Sequence, residues 1–465
     1  MFWKSRRHIV TLMGLWGFFN LYTVRGNFSV AIVAMTKVVN VTLENGTVFQ
    51  QQEFEWDSRQ KGMALGSFFY GYICTQMIGG LLAARFGGNI VFGIGIGTSI
   101  ILSLVSLGAA KLGIYPLVVV RTLMGLFQGV SFPSIQEVYS NWAPEYEKTR
   151  MAGIVQNGSQ IGAFTSFLLS GVLVEYFGWE SVFYFFGGIG CLWFLLWMIY
   201  IKRDPASDPR ISRKERDFIE SNRKKENHKK YAKVPWKLFL TSKAVWAQTV
   251  CSSCDAFTTF TYLTQIPSYL NDVLGFNMGA TGFFSAAPFL MFILLTPVAS
   301  TLSDFLLSSK LLSTVNVRKL FIVCGMLMGT ICLIIMSNAT DMMTIWVCLI
   351  VAVGTTSLTK CAYFTNPLDI APAYASVVMG FSNTIATIPG VVAPTLAGFI
   401  VRNGTREEWR IVFYIAAGLT LFGMAYFVLF GQGEVQEWAK REQKKLENAT
   451  EPLQLQQQLE DEKLT

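Results

Sequence analysis

Charge is scarce in this sequence. Asp, Glu, Lys and Arg make up 15% of 465 residues, and 52% of the residues are hydrophobic. A soluble domain of this length carries about 25% charged residues to cover its water-facing surface, so a soluble globular protein is excluded. Histidine is scarcer still: only His8 and His228 occur, both outside the apolar stretches. A nucleophile elbow, a phosphate loop and a metal-ligand cluster are all missing, so nothing marks an enzyme and no metal or cofactor is expected. All eight cysteines fall inside apolar stretches, which excludes an extracellular disulfide framework. Cys251 and Cys254 have redox-motif spacing but no βαβ context, and read as small packing residues. The net charge of +8 is gathered in loops on one side and is no nucleic-acid signal.

The chain does have long apolar runs. Twelve stretches of roughly 20 residues read as spanning helices. They cover 9–36, 62–84, 90–110, 115–138, 150–174, 181–201, 244–267, 280–303, 319–338, 343–364, 375–400 and 410–430. The first is too long for a signal-peptide core and carries Arg25, so it reads as a span. With both termini cytoplasmic, 28 of the 38 Lys and Arg lie inside and seven outside, as the positive-inside rule requires. The sequons at Asn40, Asn45, Asn338 and Asn403 then face outward as glycosylation sites, while those at Asn27, Asn157 and Asn448 should stay unmodified. The Lys-rich loop 202–243 reads as a flexible cytoplasmic tie with a basic face toward anionic lipid.

The two halves repeat. Ala143-Pro144 returns as Ala371-Pro372, Asn157 as Asn383, Gly171 as Gly398, and Trp179-x-x-Val182-Phe183-Tyr184 as Trp409-x-x-Val412-Phe413-Tyr414. Each half holds six spans, so matching helices run in the same direction. The expected organisation is an N-terminal six-helix half (1–201), the central loop (202–243), a C-terminal half (244–430) and a cytoplasmic tail (431–465). Parallel six-helix repeats of this kind describe the major facilitator fold, an all-α membrane architecture in which a midplane site alternates in access between the halves.

Ionisable residues inside spans are the candidates for function. Arg121 lies about two turns into the fourth span, with Gly125, Gln128 and, slightly off line, Gln136 on its helical face. Arg25 in the first span shares its face with Tyr22, Ser29 and Ile32. An arginine at that depth costs roughly 2.5–3.5 kcal/mol on insertion scales and should face protein or a water-filled cavity. Its planar fork suits a carboxylate or phosphate, and two such charges together favour an anion over a cation. The plain alternative is a structural arginine bonded to a neighbouring helix. Asp255 in the seventh span is the one carboxylate deep in any helix. It could be a countercharge, part of a sodium site, a proton carrier, or half of a salt bridge. Lys360 is expected to snorkel to the cytoplasm. Gln76, Gln156, Asn157, Gln160 and Asn383 read first as helix–helix hydrogen-bonding groups, with Asn157 and Asn383 also candidates for substrate contact.

Further motifs carry a resemblance. Gly66-Ser-Phe-Phe-Tyr-Gly-Tyr72 with Thr75-Gln76 and Gly79-Gly80, Trp142-Ala-Pro144, Gly178-Trp179, Leu368-Asp-Ile-Ala-Pro372 and Gly433-Glu-Val-Gln-Glu-Trp-Ala439 resemble the anion:cation symporter branch of the major facilitator superfamily. That branch holds type I sodium–phosphate cotransporters, sialin and vesicular glutamate transporters. The likeness covers nearly all of 9–440 and is strongest to insect members named as inorganic phosphate cotransporters. It implies that Arg25 and Arg121 bind the anion. It also implies departures: Gln128 stands where proton-coupled members have glutamate, Met124 where sialin has another, Val24 where bacterial sugar-acid transporters have aspartate, Gln136 where the family has histidine, and Asp255 where vesicular glutamate transporters have arginine. An amide cannot cycle a proton at ordinary pH, so these changes resemble the sodium–phosphate and organic-anion branch.

The resulting expectation is a secondary anion transporter working as a monomer in the plasma membrane, sodium-coupled and moving inorganic phosphate. Organic anions such as sialate, urate, dicarboxylates or glutamate, driven by voltage or protons, are the second reading. A non-transporting membrane receptor or scaffold is the contrasting class.

Overall fold

The computed structural model describes residues 5–42, 48–144, 147–222 and 235–440. Asn45 and Asn448 lie outside them, as does the middle of the central loop. The N-terminal half comprises α1 (Arg6–Met35), α2 (Ser58–Phe86), α3 (Gly88–Leu112), α4 (Ile114–Gly129) with α5 (Ser131–Trp142), α6 (Lys148–Phe177) and α7 (Glu180–Tyr200). Two short helices follow in the central loop, α8 (Arg213–Asn222) and α9 (Trp236–Thr241). The C-terminal half comprises α10 (Lys243–Leu274), α11 (Met278–Ser308), α12 (Thr314–Asn338), α13 (Met342–Ile370), α14 (Ala375–Ile400) and α15 (Arg406–Phe430). Counting α4–α5 as one, twelve long rods stand among the described residues, six in each half.

Nine of these rods are long and apolar enough to cross a membrane. The three outside that set, α1, α2 and α10, carry Arg25, Gln76 and Asp255, so their polar content faces protein rather than lipid. The fourth rod breaks at Val130. Pro133 has no N–H to offer the Gly129 carbonyl, so the helical ladder is interrupted there. The expectation of one continuous face from Arg121 to Gln136 fails at this break, and Gln136 is exposed.

One element was not expected. Strands β1 (Val38–Thr42) and β2 (Val48–Gln52) pair antiparallel after α1, Val38 opposite Gln52 through Thr42 opposite Val48. They mark one end of the bundle, the hairpin end, opposite the loop end that carries α8 and α9. Asn338 and Asn403 lie at the hairpin end and are exposed. The Asn338 amide donates to the Ile334 carbonyl (2.7 Å) and that of Asn403 to Glu408 (3.2 Å).

At the loop end, Arg6 pairs with buried Asp208 (2.6 Å) and Arg7 with Glu147 (2.8 Å). Glu215 of α8 also accepts from the backbone N–H groups of Arg6 and Arg7 (3.0 and 3.1 Å). The central loop is therefore tied to the N-terminal half, where the sequence reading had only a flexible linker.

The halves meet where α2 packs on α14 and α6 on α11. Glycine permits both contacts: a Cβ on Gly282 would lie 2.6 Å from the Gly171 Cα, and one on Gly62 would lie 3.1 Å from the Gly398 Cα. Glu175 of α6 accepts from the first N–H groups of α11, Met278 (3.0 Å) and Gly279 (3.2 Å). Nearer the centre, Phe167 stacks on Phe289, Phe69 meets Phe260, and Thr387 donates to Gln76 (3.2 Å). Toward the loop end the halves part: Gly153 of α6 and Gly380 of α14 have nothing within 4 Å of a built Cβ. The molecule is closed at the hairpin end and open at the loop end.

Candidate functional site

Arg25 and Arg121 come together in the interior of the N-terminal half. They are 6% and 3% exposed. The close fit of α2 to α4 sets their surroundings. A Cβ on Gly125 would collide with the Phe68 carbonyl, so glycine lets α2 approach until its aromatic residues face the guanidinium groups. The Arg25 guanidinium carbon lies 4.6 Å from the ring centres of both Phe68 and Tyr72, and 5.0 Å from that of Tyr22. The Arg121 guanidinium carbon lies 4.1 Å from the Phe28 ring centre and 5.8 Å from that of Phe68. Phe68 is thus shared between the two cations. Each desolvated cation–ring contact is worth up to about 2 kcal/mol, which offsets part of the burial cost without consuming a hydrogen-bond donor.

The donors are left largely free. Arg25 donates from Nε to the Gln128 Oε1 (3.1 Å), and Gln128 in turn donates to the Ser99 hydroxyl (2.8 Å). Buried Arg25 Nη2 and Arg121 Nε have no partner. Among the described residues neither arginine forms an ion pair with a carboxylate. Two like charges a short distance apart, without counterions, repel across a low-dielectric site, and a multi-oxygen anion between them satisfies both the charge and the idle donors.

The opposite wall belongs to the C-terminal half and has a different character. Asp255 on α10 is 3% exposed and accepts from the Tyr363 hydroxyl (3.2 Å). Lys360, two turns along α13 from Val353, is directed inward: its Nζ lies 5.0 Å from the Phe292 ring centre and it acts electrostatically on Asp255. The expectation that Lys360 snorkels to the loop end is therefore corrected. The Phe292 ring inside the half lies beside its ammonium, away from the loop end. Tyr363 lies on the side of the C-terminal half toward Tyr22 of the arginine pocket, where α1 packs on α10.

The other sequence candidates are dispersed. Tyr22 and Gln128 join the arginines. Asn157 does not: its neighbour Gly158 packs on Leu15, ten residues or about 15 Å along α1 from Arg25, and Asn157 is exposed toward the open loop end. Asn383 lies one turn further toward that end than Thr387, whose hydroxyl donates to its carbonyl (2.9 Å). The sequence reading missed Phe28, Phe68, Tyr72, Ser99 and Tyr363. Phe68 and Tyr72 were visible inside the Gly66–Tyr72 motif, but nothing in a single sequence distinguishes a ring facing a cation from a ring facing lipid.

Comparison with known proteins extends this picture. The Major Facilitator Superfamily profile matches residues 14–394. Vesicular glutamate transporter 1 of Xenopus laevis is 36% identical over 446 residues, covering 95% of this chain and 77% of the relative. Human sialin is 37% identical over 456 residues, covering 94% of this chain and 91% of the relative. Among solved structures, a bacterial homologue of the human lysosomal transporter Spinster, inward-facing and unoccupied, superposes with TM-score 0.69 at 13% identity, over 92% of this chain and 98% of that one. A D-xylose–proton symporter gives TM-score 0.67 at 12% identity, over 92% and 97%. At these identities the two structures speak for the fold alone.

Proposed function

Because the chain belongs to the anion:cation symporter branch of the major facilitator superfamily, we propose that it is a secondary active anion transporter that carries inorganic phosphate with sodium by alternating access. The observation that carries this reading is the pair of buried, carboxylate-free arginines with idle donors at the centre of the molecule. Arg25 and Arg121 grip the anion's oxygens, Gln128 orients Arg25, and Tyr22 closes the pocket toward the C-terminal wall. Asn157 and Asn383 line the approach from the loop end. Gln128 cannot carry a proton, which removes the simplest route to proton coupling in this pocket and favours a metal cation as the driving ion.

The second reading is organic-anion transport, supported by the likeness to proteins named for glutamate and sialic acid. It needs the same arginines and a larger pocket. The lysine and arginine distribution supports cytoplasmic termini, with the hairpin end, Asn40, Asn338 and Asn403 outside and open to glycosylation. The reading adopts a plasma-membrane monomer.

The test is uptake into proteoliposomes containing the purified chain under an inward sodium gradient, with labelled phosphate and, in parallel, labelled glutamate, sialate and urate under a membrane potential. Sodium-dependent phosphate uptake supports the first reading. Uptake of an organic anion alone moves the chain to the second. No uptake of any anion by a monodisperse protein rejects transport of this class.

A further inference from the structure

The C-terminal half contains a small, mainly apolar cavity, distinct from the arginine pocket, with a few oxygens on its wall. It lies between α10, α12, α13 and α15, and Asp255, Thr258, Tyr262, Thr356, Thr359 and Thr420 contribute its oxygens. Its free space is ≈ 10 Å³, room for a single water-sized particle. Two of its hydroxyls, Tyr262 OH and Thr359 Oγ1, have no hydrogen-bond partner although these residues are 2% and 1% exposed. Thr258 and Thr420 bond to each other (2.9 Å), and Thr420 also reaches the Ala416 carbonyl (2.8 Å). Buried polar atoms without partners are uncommon and call for a ligand.

We propose that this cavity is a sodium site, with the Asp255 carboxylate and the hydroxyls of Tyr262 and Thr359 as its principal ligands. The donor set is all oxygen, which suits a hard cation and not a thiophilic metal. It holds one carboxylate with the Lys360 ammonium nearby, so a monovalent ion leaves less uncompensated positive charge than a divalent ion would. Among the described residues Lys360, which follows Thr359, forms no ion pair with Asp255, so the carboxylate keeps a free face toward the cavity. Tyr363 donates to Asp255, and α10 packs on α1, the helix of Arg25, which places the cavity close to the substrate site. The inference deepens the sodium-coupled reading by naming the residues that hold the ion, and it is testable without any transported substrate.

The experiment is equilibrium binding of ²²Na⁺ to the purified full-length chain in detergent, without phosphate, at constant ionic strength. The wild type should bind saturably. Asp255→Asn should lose binding. Thr359→Ala and Tyr262→Phe should each raise the half-saturating concentration about tenfold, the effect of losing one ligand worth about 1.4 kcal/mol. Lys111→Ala, at an exposed position of the other half, should bind as the wild type does even if phosphate proves not to be the substrate. The double variant Asp255→Asn/Lys360→Met separates this from a purely structural pairing. If Asp255 served only to neutralise Lys360, removing both charges would restore binding, and that result would overturn the site. Saturable binding unchanged in Asp255→Asn, or no binding by a monodisperse wild type, would overturn it as well. Displacement of the label by acid alone, with no preference for sodium over potassium, would reassign the cavity to a proton and reject sodium.

Discussion

Arg25 in α1 and Asp255 in α10 lie in the first helices of the two halves and carry opposite charges. In the N-terminal half the charge is surrounded by rings and joined by a second arginine. In the C-terminal half it is surrounded by hydroxyls and a lysine. The packing residues have not diverged in this way: the repeat-matched glycines Gly171 and Gly398 both make the close approach to the opposite half. The close contact between the halves is alike in both repeats, while the buried charges differ, positive in one half and a carboxylate with a lysine in the other.

The largest expected effect comes from erasing the positive wall. Arg121→Ala should lower anion uptake about 100-fold at matched surface amounts, since a charged two-donor contact is worth roughly 3 kcal/mol. Arg121→Lys should recover only a small part of that loss, because an ammonium cannot make the forked contact. Next is the negative wall: Asp255→Asn should make any residual uptake insensitive to sodium, read as uptake against sodium concentration.

A smaller effect should come from the shared contact. Gly171→Val places side-chain atoms where the Gly282 backbone now sits and should hold the hairpin end apart. A cysteine placed at Ala393, which is buried near that end, should then become accessible to an impermeant thiol reagent from the hairpin side. Unchanged labelling would show that this contact does not gate the cavity.

Gln128→Glu sharpens the comparison by importing a carboxylate into the arginine pocket. When protonated, the introduced carboxyl resembles the native amide and uptake stays near wild type. When ionised, it neutralises Arg25 and competes with the anion, so uptake should fall several-fold as pH rises, beyond the pH response of the wild type measured in parallel. The smallest effect belongs to Asn157→Ala, about twofold or less in rate, because Asn157 lies about 15 Å from Arg25 along the bundle.

Much of the fold was legible because a membrane forces long apolar runs into helices, and the repeat motifs disclosed two copies. The antiparallel β1–β2 pair was not legible, since strands of five residues are too short to show a clear alternation. The break at Val130 follows from Pro133, but the misjudged face of Gln136 shows that helical spacing holds only while the ladder is intact. The arginines stood out because charge in hydrocarbon is costly. Phe68 and the Thr359 and Tyr262 hydroxyls did not, because rings and hydroxyls are common in spans and only the packing of α2 on α4, and of α12 and α10 on α13, shows what they face. Lys360 was misplaced for the same reason: its depth was readable, but its direction depended on Asp255 in another helix.

The most direct test of the central claim is labelled phosphate uptake by cells displaying equal surface amounts of the wild type and of Arg121→Ala, with sodium present or replaced by choline. The arginine pocket predicts sodium-dependent uptake by the wild type and uptake near background by the variant. Equal sodium-dependent uptake by both would contradict it and return Arg121 to a structural role.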